Sequence, residues 1–498
     1  MRYVLGIDLG TSAVKAALYD ENCRKVCDAG KEYPLSCPQN GWAEQNAEDW
    51  YRAAAACIRQ AIAQSGVRPQ DIVSVGLSGQ MNGIVLLDKN GAPLRPAILW
   101  CDQRGAQECE EINARVGTQN IFDITCNPAL TGFSLAKLLW VRNHQPSLYD
   151  TCRHIMLPKD YIRLRLTGEY ATDVSDASGM QLLDTGKRCW SKQVVSSLGI
   201  DASLLPTVYE SPEISGRVHE TAAQETGLPA GIPVAAGAGD NAASAIGTGV
   251  VTDCRSFLTL GTSGVIDTHS DTLRVDPQGR VHTFCAAVPG AWLIVASVQS
   301  AGLSMQWMRN LLFPGDSDYA QVNQAIASVP IGAQRLLYLP YLMGDRSPHM
   351  DPDARGVFFG LSSMHTREHL ARAVMEGISY GVRDCYGVLQ SMGVMPQEML
   401  LCGGGAKSPI WRQMLADVLG LPMRLLQTSD SGALGAAILA AVSAGIYSDV
   451  RQACAQAVKT GGITQPDPAA GAAYEAFYAL YRRIYPHLQM DFKALSAL

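Results

Sequence analysis

The sequence predicts an α/β protein made of two similarly organised domains, and three observations lead there. Short apolar runs of strand length alternate with helical stretches along the whole chain. The segment GIDLGTSAVKAAL, residues 6–18, is nearly repeated by FLTLGTSGVIDT, residues 257–268, about half the chain later. At 498 residues the chain is also too long for one hydrophobic core. Two copies of Leu-Gly-Thr-Ser, each after a strand-like run, suggest a duplicated nucleotide-clamping unit.

Residues 3–7 read as a buried strand, Asp8 to Ser12 as a turn, and residues 14–18 as the returning strand. Gly10, Thr11 and Ser12 at this bend can present N–H and hydroxyl groups to phosphate oxygens. An ordinary hairpin would use the same residues; the second copy, Gly261-Thr262-Ser263, moves the reading toward function. Asn46 caps a helix over residues 47 to about 65, with Asp49 placed to close a capping box. A strand at residues 72–77 then feeds Gln80, Met81 and Asn82, and ligands of α/β folds sit beyond such strand ends. After a further strand at 84–87, residues 96–99 end in Trp100, Asp102 and Arg104. That trio offers a hydroxylated ligand one stacking face, one acceptor and one donor fork. A surface salt bridge beside a half-buried tryptophan is its rival.

Helical stretches predominate over residues 106–184, including 135–143 and 161–166, and residues 206–231 read as a Pro/Gly-punctuated connector. A strand at 232–236 leads through Gly237-Ala238-Gly239-Asp240-Asn241 into a helix expected from Ala242. Residues 247–253 mark an interdomain crossing. The second half repeats this style, with strands at 257–260, 292–298 and 336–339. A helix at 367–392 starts at Thr366, and another at 409–419 has Ser408 as cap and Gly420 beyond its end. Between them, residues 399–401 feed Gly403, Gly404 and Gly405, where bare backbone can approach a flat ligand or a phosphate. A helix at 474–485 closes the chain, stopped by Pro486.

Composition excludes several classes. Net charge is -6 with no long basic run, which argues against nucleic acid as a partner. The 14 cysteines contain no CxxC pair and read as reduced thiols packed like small apolar residues. Met1 leads straight into a strand-like run, so no signal peptide is expected. The most apolar stretch, residues 432–446, is rich in alanine and glycine and too short for a membrane span. A cytoplasmic, soluble protein is expected, with no membrane partner.

Residues 237–242 formally fit a dinucleotide-binding GxGxxG/A pattern, but Asp240 would stand where pyrophosphate must lie, and no acidic residue follows about 20 positions on. The P-loop pattern is absent. An Asp at a helix start is commonly an N-cap. Phosphoryl transfer to a sugar hydroxyl, however, needs a base at the acceptor and donors around the triphosphate, and Asp240 lies between a glycine-rich turn and the second phosphate loop.

Taken together, the residues resemble the FGGY family of carbohydrate kinases over nearly the whole length, most closely its members that phosphorylate D-xylulose. The carrying motifs are Gly6 to Ser12, Gly79-Gln80-Met81, Leu99 to Arg104, Leu157-Pro158-Lys159-Asp160-Tyr161, Gly239-Asp240-Asn241 and Leu260 to Gly264. Gly356-Val357-Phe358-Phe359-Gly360-Leu361, His369-Leu370 and Ala373-Val374-Met375-Glu376 match the C-terminal signature. The resemblance implies two actin-like, ribonuclease-H-like domains: residues 1–247 with the sugar site and first phosphate loop, 254–445 with the ATP site, and a helical extension at 446–498. ATP and sugar would meet in the cleft between the domains. Asp240 would be the general base, and Asp8 would lie beside Mg2+ and the transferring phosphoryl group. Gly10, Thr11, Ser12, Gly261, Thr262 and Ser263 would line the phosphates, with Gly404 and Gly405 at the adenosine. Gln80, Met81, Asn82, Trp100, Asp102, Arg104 and Asn241 would surround the sugar. A homodimer is compatible with the relatives' habit.

One departure stands out: Asn82 occupies a position where the D-xylulose kinases carry histidine. Asn donates and accepts hydrogen bonds but carries no proton at neutral pH. D-xylulose is therefore the first expectation, with another pentulose or a ketohexose (ribulose, fructose, tagatose, allulose) behind it. An actin- or chaperone-like ATPase would share the phosphate loops but have no sugar pocket to line. A sugar-responsive transcription regulator on the same fold would want an added DNA-binding segment.

Overall fold

In the computed structural model, which describes residues 1–313, 315, 318–427 and 430–498, the duplication is visible in the strand order. The first half runs through β1 (Tyr3–Leu9), β2 (Ala13–Asp20), β3 (Lys25–Glu32), α1 (Ala47–Ser65) and β4 (Ile72–Gly79). A largely helical region containing α2 (Ser134–His144) and α3 (Pro158–Thr167) follows. The chain then returns through β5 (Ile214–Arg217) and β6 (Pro233–Ala235) into α4 (Asp240–Gly247). The second half comprises β7 (Ser256–Leu260), β8 (Gly264–Ser270), β9 (His282–Cys285) and β10 (Trp292–Val298). After these come α5 (Arg367–Ser391), β11 (Met399–Cys402), α6 (Pro409–Leu419), β12 (Met423–Leu426), α7 (Ser431–Ser443), β13 (Thr460–Thr464) and α8 (Pro468–Ser496).

The first sheet has the order β5-β6-β4-β1-β2-β3 and the second β9-β10-β8-β7-β11-β12-β13. In each, a Leu-Gly-Thr-Ser hairpin joins two antiparallel strands, and the first strand of the hairpin also pairs in parallel with a later one. These are β1 with β2 and β4, and β7 with β8 and β11. The shared scheme places both hairpin bends at the C-terminal ends of parallel strands, where α/β folds bind ligands.

Several expectations are corrected. β1 extends to Leu9, so Asp8 is a strand residue, paired with Lys15 and Ser78, and not part of the turn. Asn46 does cap α1, accepting from the Glu48 N–H, but Asp49 closes no box and binds Arg52 instead. A capping box does form on α5, between Thr366 and His369. The 206–231 connector holds a strand at Thr207–Tyr209, β5, and a helix at Glu220–Thr226. Segment 446–498 is more than helical, since β13 extends the second sheet. Pro486 does not end the last helix: α8 continues to Ser496 because Tyr474, Tyr478, Tyr481 and Tyr485 before it and Phe492 beyond it bury against one core. Aromatic burial of about 2 kcal/mol per ring offsets the roughly 3 kcal/mol cost of an interior proline.

The apolar stretch at 432–446 is mostly α7, and it explains its own composition. A Cβ on Gly435 would collide with the Ala243 carbonyl of α4, and one on Gly247 with the Ser431 carbonyl of α7. On α7's other side, Gly6 of β1 and Gly76 of β4 admit the carbonyls of Ala433 and Ala436. The helix is therefore alanine- and glycine-rich because backbone lies on backbone along the whole seam. Among the described residues no helix is long and apolar enough to cross a membrane.

Candidate active site

Asp8, Ser78 and Ala238 lie side by side on three parallel strand segments, with Leu9, Gly79 and Gly239 in the next row. Asp240 follows at once, one residue past the sheet and first in α4, two residues earlier than expected for that helix. Gly237 has φ +82°, and a Cβ there would come within 2.5 Å of the Leu77 carbonyl, so only glycine lets the chain turn so close to β4. Gly239 rests on Met81, whose Cγ would be 2.6 Å from an added Cβ, and its N–H donates to Ser175 Oγ.

The two acids feel each other. Asp240 is only partly exposed and walled by protein; burial first, then the Asp8 charge, push its pKa up to about 7, although its Oδ1 accepts from the Asn241 N–H. Burial also raises Asp8, against the Ser78 hydroxyl that donates to its Oδ1 at 2.8 Å and against Lys15. Asp8 Oδ2 has no hydrogen bond among the described residues and faces the start of α7, where a Cβ on Gly432 would lie 2.5 Å from it. Helix N-termini favour negative charge. On the second domain, Asp267 of β8 is buried and raised by burial and by Asp240. Asp240 thus sits among acids from both domains.

The first loop is held from behind. Gln45 Nε2 donates to the Thr11 carbonyl at 2.7 Å, while Gln45 Oε1 accepts from Gln80 and Trp50. Trp100 Nε1 donates to Thr11 Oγ1 at 3.1 Å, and the indole remains 38% exposed. The Gly10 N–H turns back to Ala13, leaving the Thr11 and Ser12 N–H groups without a partner among the described residues. The second loop is alike: the Gly261 N–H binds the Ser263 carbonyl, and the carbonyls of Gly261 and Thr262 cap the helix Gly302–Leu312. Both loops leave N–H groups facing outward, an arrangement suited to phosphate.

Not every expected sugar residue faces a ligand. Asp102 is fully buried and accepts from the Ala43 and Arg104 N–H groups; Arg104 pairs with it at 2.7 Å and with Glu44 at 2.8 Å, and stacks 3.7 Å over Trp42. This is the salt-bridge alternative, buried instead of superficial, and its work is to fix the loop carrying Trp100. Gln80 is likewise spent on Gln45, apart from Oε1, which is buried without a partner. Asn82 adopts φ +63°, its carbonyl held at 3.1 Å by Lys137 Nζ, and its Oδ1 is buried without a partner against Gly179. Asn241 is half-buried on the first turn of α4. In the 403–405 run, Gly403 (φ +88°) and Gly405 are required by packing on Leu260 of β7, and only Gly404 is open. Sequence reasoning missed Gln45, Ser78, Lys137 and Gly432. All are ordinary residues made important by register and packing, and no local pattern marks them.

Two phosphate-type loops at matching places in duplicated sheets, with an acid pair between, define a phosphotransferase of the actin-like class. Residues 3–247 match the N-terminal domain, and residues 257–444 the C-terminal domain, of the FGGY family of carbohydrate kinases, and the chain belongs to that family. It is an ATP-dependent sugar kinase with two actin-like domains. Its relatives include the xylulose kinase of Escherichia coli K12, 40% identical over 97% of this chain and 99% of that one. The xylulose kinase of Bacillus subtilis 168 is 36% identical over 98% and 97%. The crystal structure of xylulose kinase from Rhodospirillum rubrum superposes with TM-score 0.92 at 32% identity, covering 99% of this chain and all of that one.

Proposed function

We propose that this kinase phosphorylates a ketose at a primary hydroxyl, with D-xylulose as first candidate and D-xylulose 5-phosphate as product. Asp240 is the general base. The observation that carries this reading is the Asp240 carboxyl itself: partly exposed at the start of α4, beside Asp8, with its pKa near the pH at which a base must work. The ketose oxygen attacks the γ-phosphorus and its proton passes to Asp240. The bond from phosphorus to the β–γ bridging oxygen breaks, and ADP leaves with that electron pair. The Thr11, Ser12 and Thr262 N–H groups hold phosphate oxygens, and open Gly404 borders the adenosine.

Asp8 fits Mg2+. Its Oδ2 has no hydrogen bond among the described residues, and magnesium is ordinarily held by one or two carboxylates together with waters and substrate phosphates. When bound, the ion neutralises charge on the β- and γ-phosphates. Among the described residues no cluster of three or more metal-ligating side chains exists. Exposed Trp100 faces the ketose, and buried Met81 and the buried Asn82 Oδ1 shape the pocket wall behind it. Asp102 and Arg104 act on it only through the Trp100 loop.

The test is ADP release with Mg-ATP across D-xylulose, D-ribulose, L-ribulose, L-xylulose, D-fructose, D-tagatose, D-allulose and glycerol. A clear D-xylulose preference makes Asn82 a tolerated exchange, whereas another ketose marks it as the specificity residue. Sugar-independent turnover alone would sink the reading. Asp240→Asn should lower turnover about 100- to 10,000-fold.

A further inference from the structure

The Arg346 side chain lies where the two halves of the molecule approach each other. Arg104, Arg163 and Arg372 each hold a carboxylate. The Arg346 guanidinium makes no hydrogen bond or ion pair among the described residues, although burial lowers its pKa. Its side chain nevertheless remains exposed, as at the wall of a cleft.

Its backbone is rooted on the second domain. The Asp345 and Asp351 N–H and carbonyl groups pair reciprocally, Met350 N–H binds the Arg346 carbonyl, and His349 N–H binds Asp345 Oδ2. Ser347 N–H donates to the Ser297 carbonyl of β10, and Ser297 pairs with Val265, next to Gly264 of the second phosphate loop. The guanidinium reaches the first domain. A Cβ on Gly132 would lie 3.6 Å from Arg346 Nη2 and 3.4 Å from the Trp100 carbonyl, and Trp100 is bonded to Thr11 of the first loop. His282, whose charge Arg346 disfavours, is buried, bonded through Nδ1 to Asn127, and pushed by burial and by Arg346 down to about 3, hence uncharged. A cation on a rooted loop of the second domain thus reaches toward the segment that carries Trp100, with no ion pair to it among the described residues.

We infer that Arg346 binds the phosphoryl group in transfer, using its planar donor fork on the non-bridging oxygens as they pass from ATP to the ketose. The inference rests on the sugar-kinase reading above. The chemistry favours a phosphoryl oxygen over a sugar hydroxyl: the planar guanidinium fork matches phosphate bidentately, and a charged donor binds an anion more strongly than a neutral hydroxyl. Charge presented at the transferring group lowers the barrier more than it tightens the ground state.

Arg346→Gln and Arg346→Lys are the variants, assayed with the ketose that the wild-type protein phosphorylates best. For Arg346→Gln we expect kcat to fall about 100-fold or more with ketose KM within about threefold. Mg-ADP with aluminium fluoride, a mimic of the transferring group, should no longer inhibit tightly in the presence of ketose. Arg346→Lys, which keeps charge without the fork, should lose about tenfold in kcat, so a failure of the glutamine variant to fold leaves the inference testable. Retention of kcat within threefold in either folded variant overturns it. So does a rise in ketose KM above tenfold at unchanged kcat, which would make Arg346 a sugar-hydroxyl anchor. A wild-type protein that phosphorylates no ketose would instead bring down the sugar-kinase reading.

Discussion

Replacing Asp240 by Asn should cost activity and yield stability, and the yield should depend on pH. An acid whose folded pKa is raised resists ionisation in the folded state, so the native protein is penalised wherever the carboxyl must lose its proton. For Asp240 the displacement runs from 3.8 to about 7, caused by burial and then by Asp8. At about 1.4 kcal/mol per factor of ten in proton affinity, the penalty is about 4 kcal/mol above pH 7, shrinking to nothing below pH 4. Asn has nearly the shape of the neutral acid and escapes the penalty. For a domain of this size, about 4 kcal/mol corresponds to a rise of roughly 8 °C in Tm. The assay is thermal unfolding of both proteins at intervals from pH 4.5 to 8.5, beside ketose-dependent ADP release. The variant should gain on the wild type steadily as pH rises, while remaining nearly inactive. A Tm difference that does not change with pH, or a variant less stable at pH 8, would refute the claim that burial raises this carboxyl. The wild type should also lose kcat/KM on the acid side, tenfold per pH unit below about 7, as its base is protonated.

Other substitutions test the surrounding architecture. Ser78→Ala removes the hydroxyl that stabilises ionised Asp8, so the Asp8 pKa rises and the Mg2+ concentration needed for half-maximal turnover should increase in a metal titration at fixed pH. Lys137→Met leaves the carbonyls of Asn82, Gly132 and Phe133 without their shared donor. It should cost about 3 kcal/mol in chemical denaturation and raise ketose KM through the displaced Asn82 turn. Gly435→Val places a branched side chain against the Ala243 carbonyl and should destabilise by about 3 kcal/mol or more. Gly387→Ala, on α5 with nothing within 4 Å of the added Cβ, should raise stability by up to about 1 kcal/mol.

How far the residues alone could be read follows from where the information lies. The two hairpins, the α1 cap at Asn46 and the Ser408–Gly420 bracket of α6 are local patterns, and each recurs in the structure with near-identical bounds. The continuation of α8 through Pro486 was not legible, because aromatic burial on a distant core overrode a local breaker. Trp100, Asp102 and Arg104 form a plausible ligand set by type. Only the fold shows that Glu44, 58 positions before Asp102 in the numbering, consumes Arg104 together with its own neighbour. Gln45 and Lys137 act through main-chain carbonyls, and a sequence gives no sign of which carbonyl a side chain will meet.

The bare-backbone seam between α4 and α7 also governs how the chemistry is mounted. Asp240 is the first residue of α4; α7 begins against Asp8; and the two helices are locked to each other and to β1 and β4 without intervening side chains. Both acids are therefore mounted on one block of bare-backbone contacts, and the spacing between Asp8 and Asp240 is set by main chain and not by side-chain packing that substitution can change.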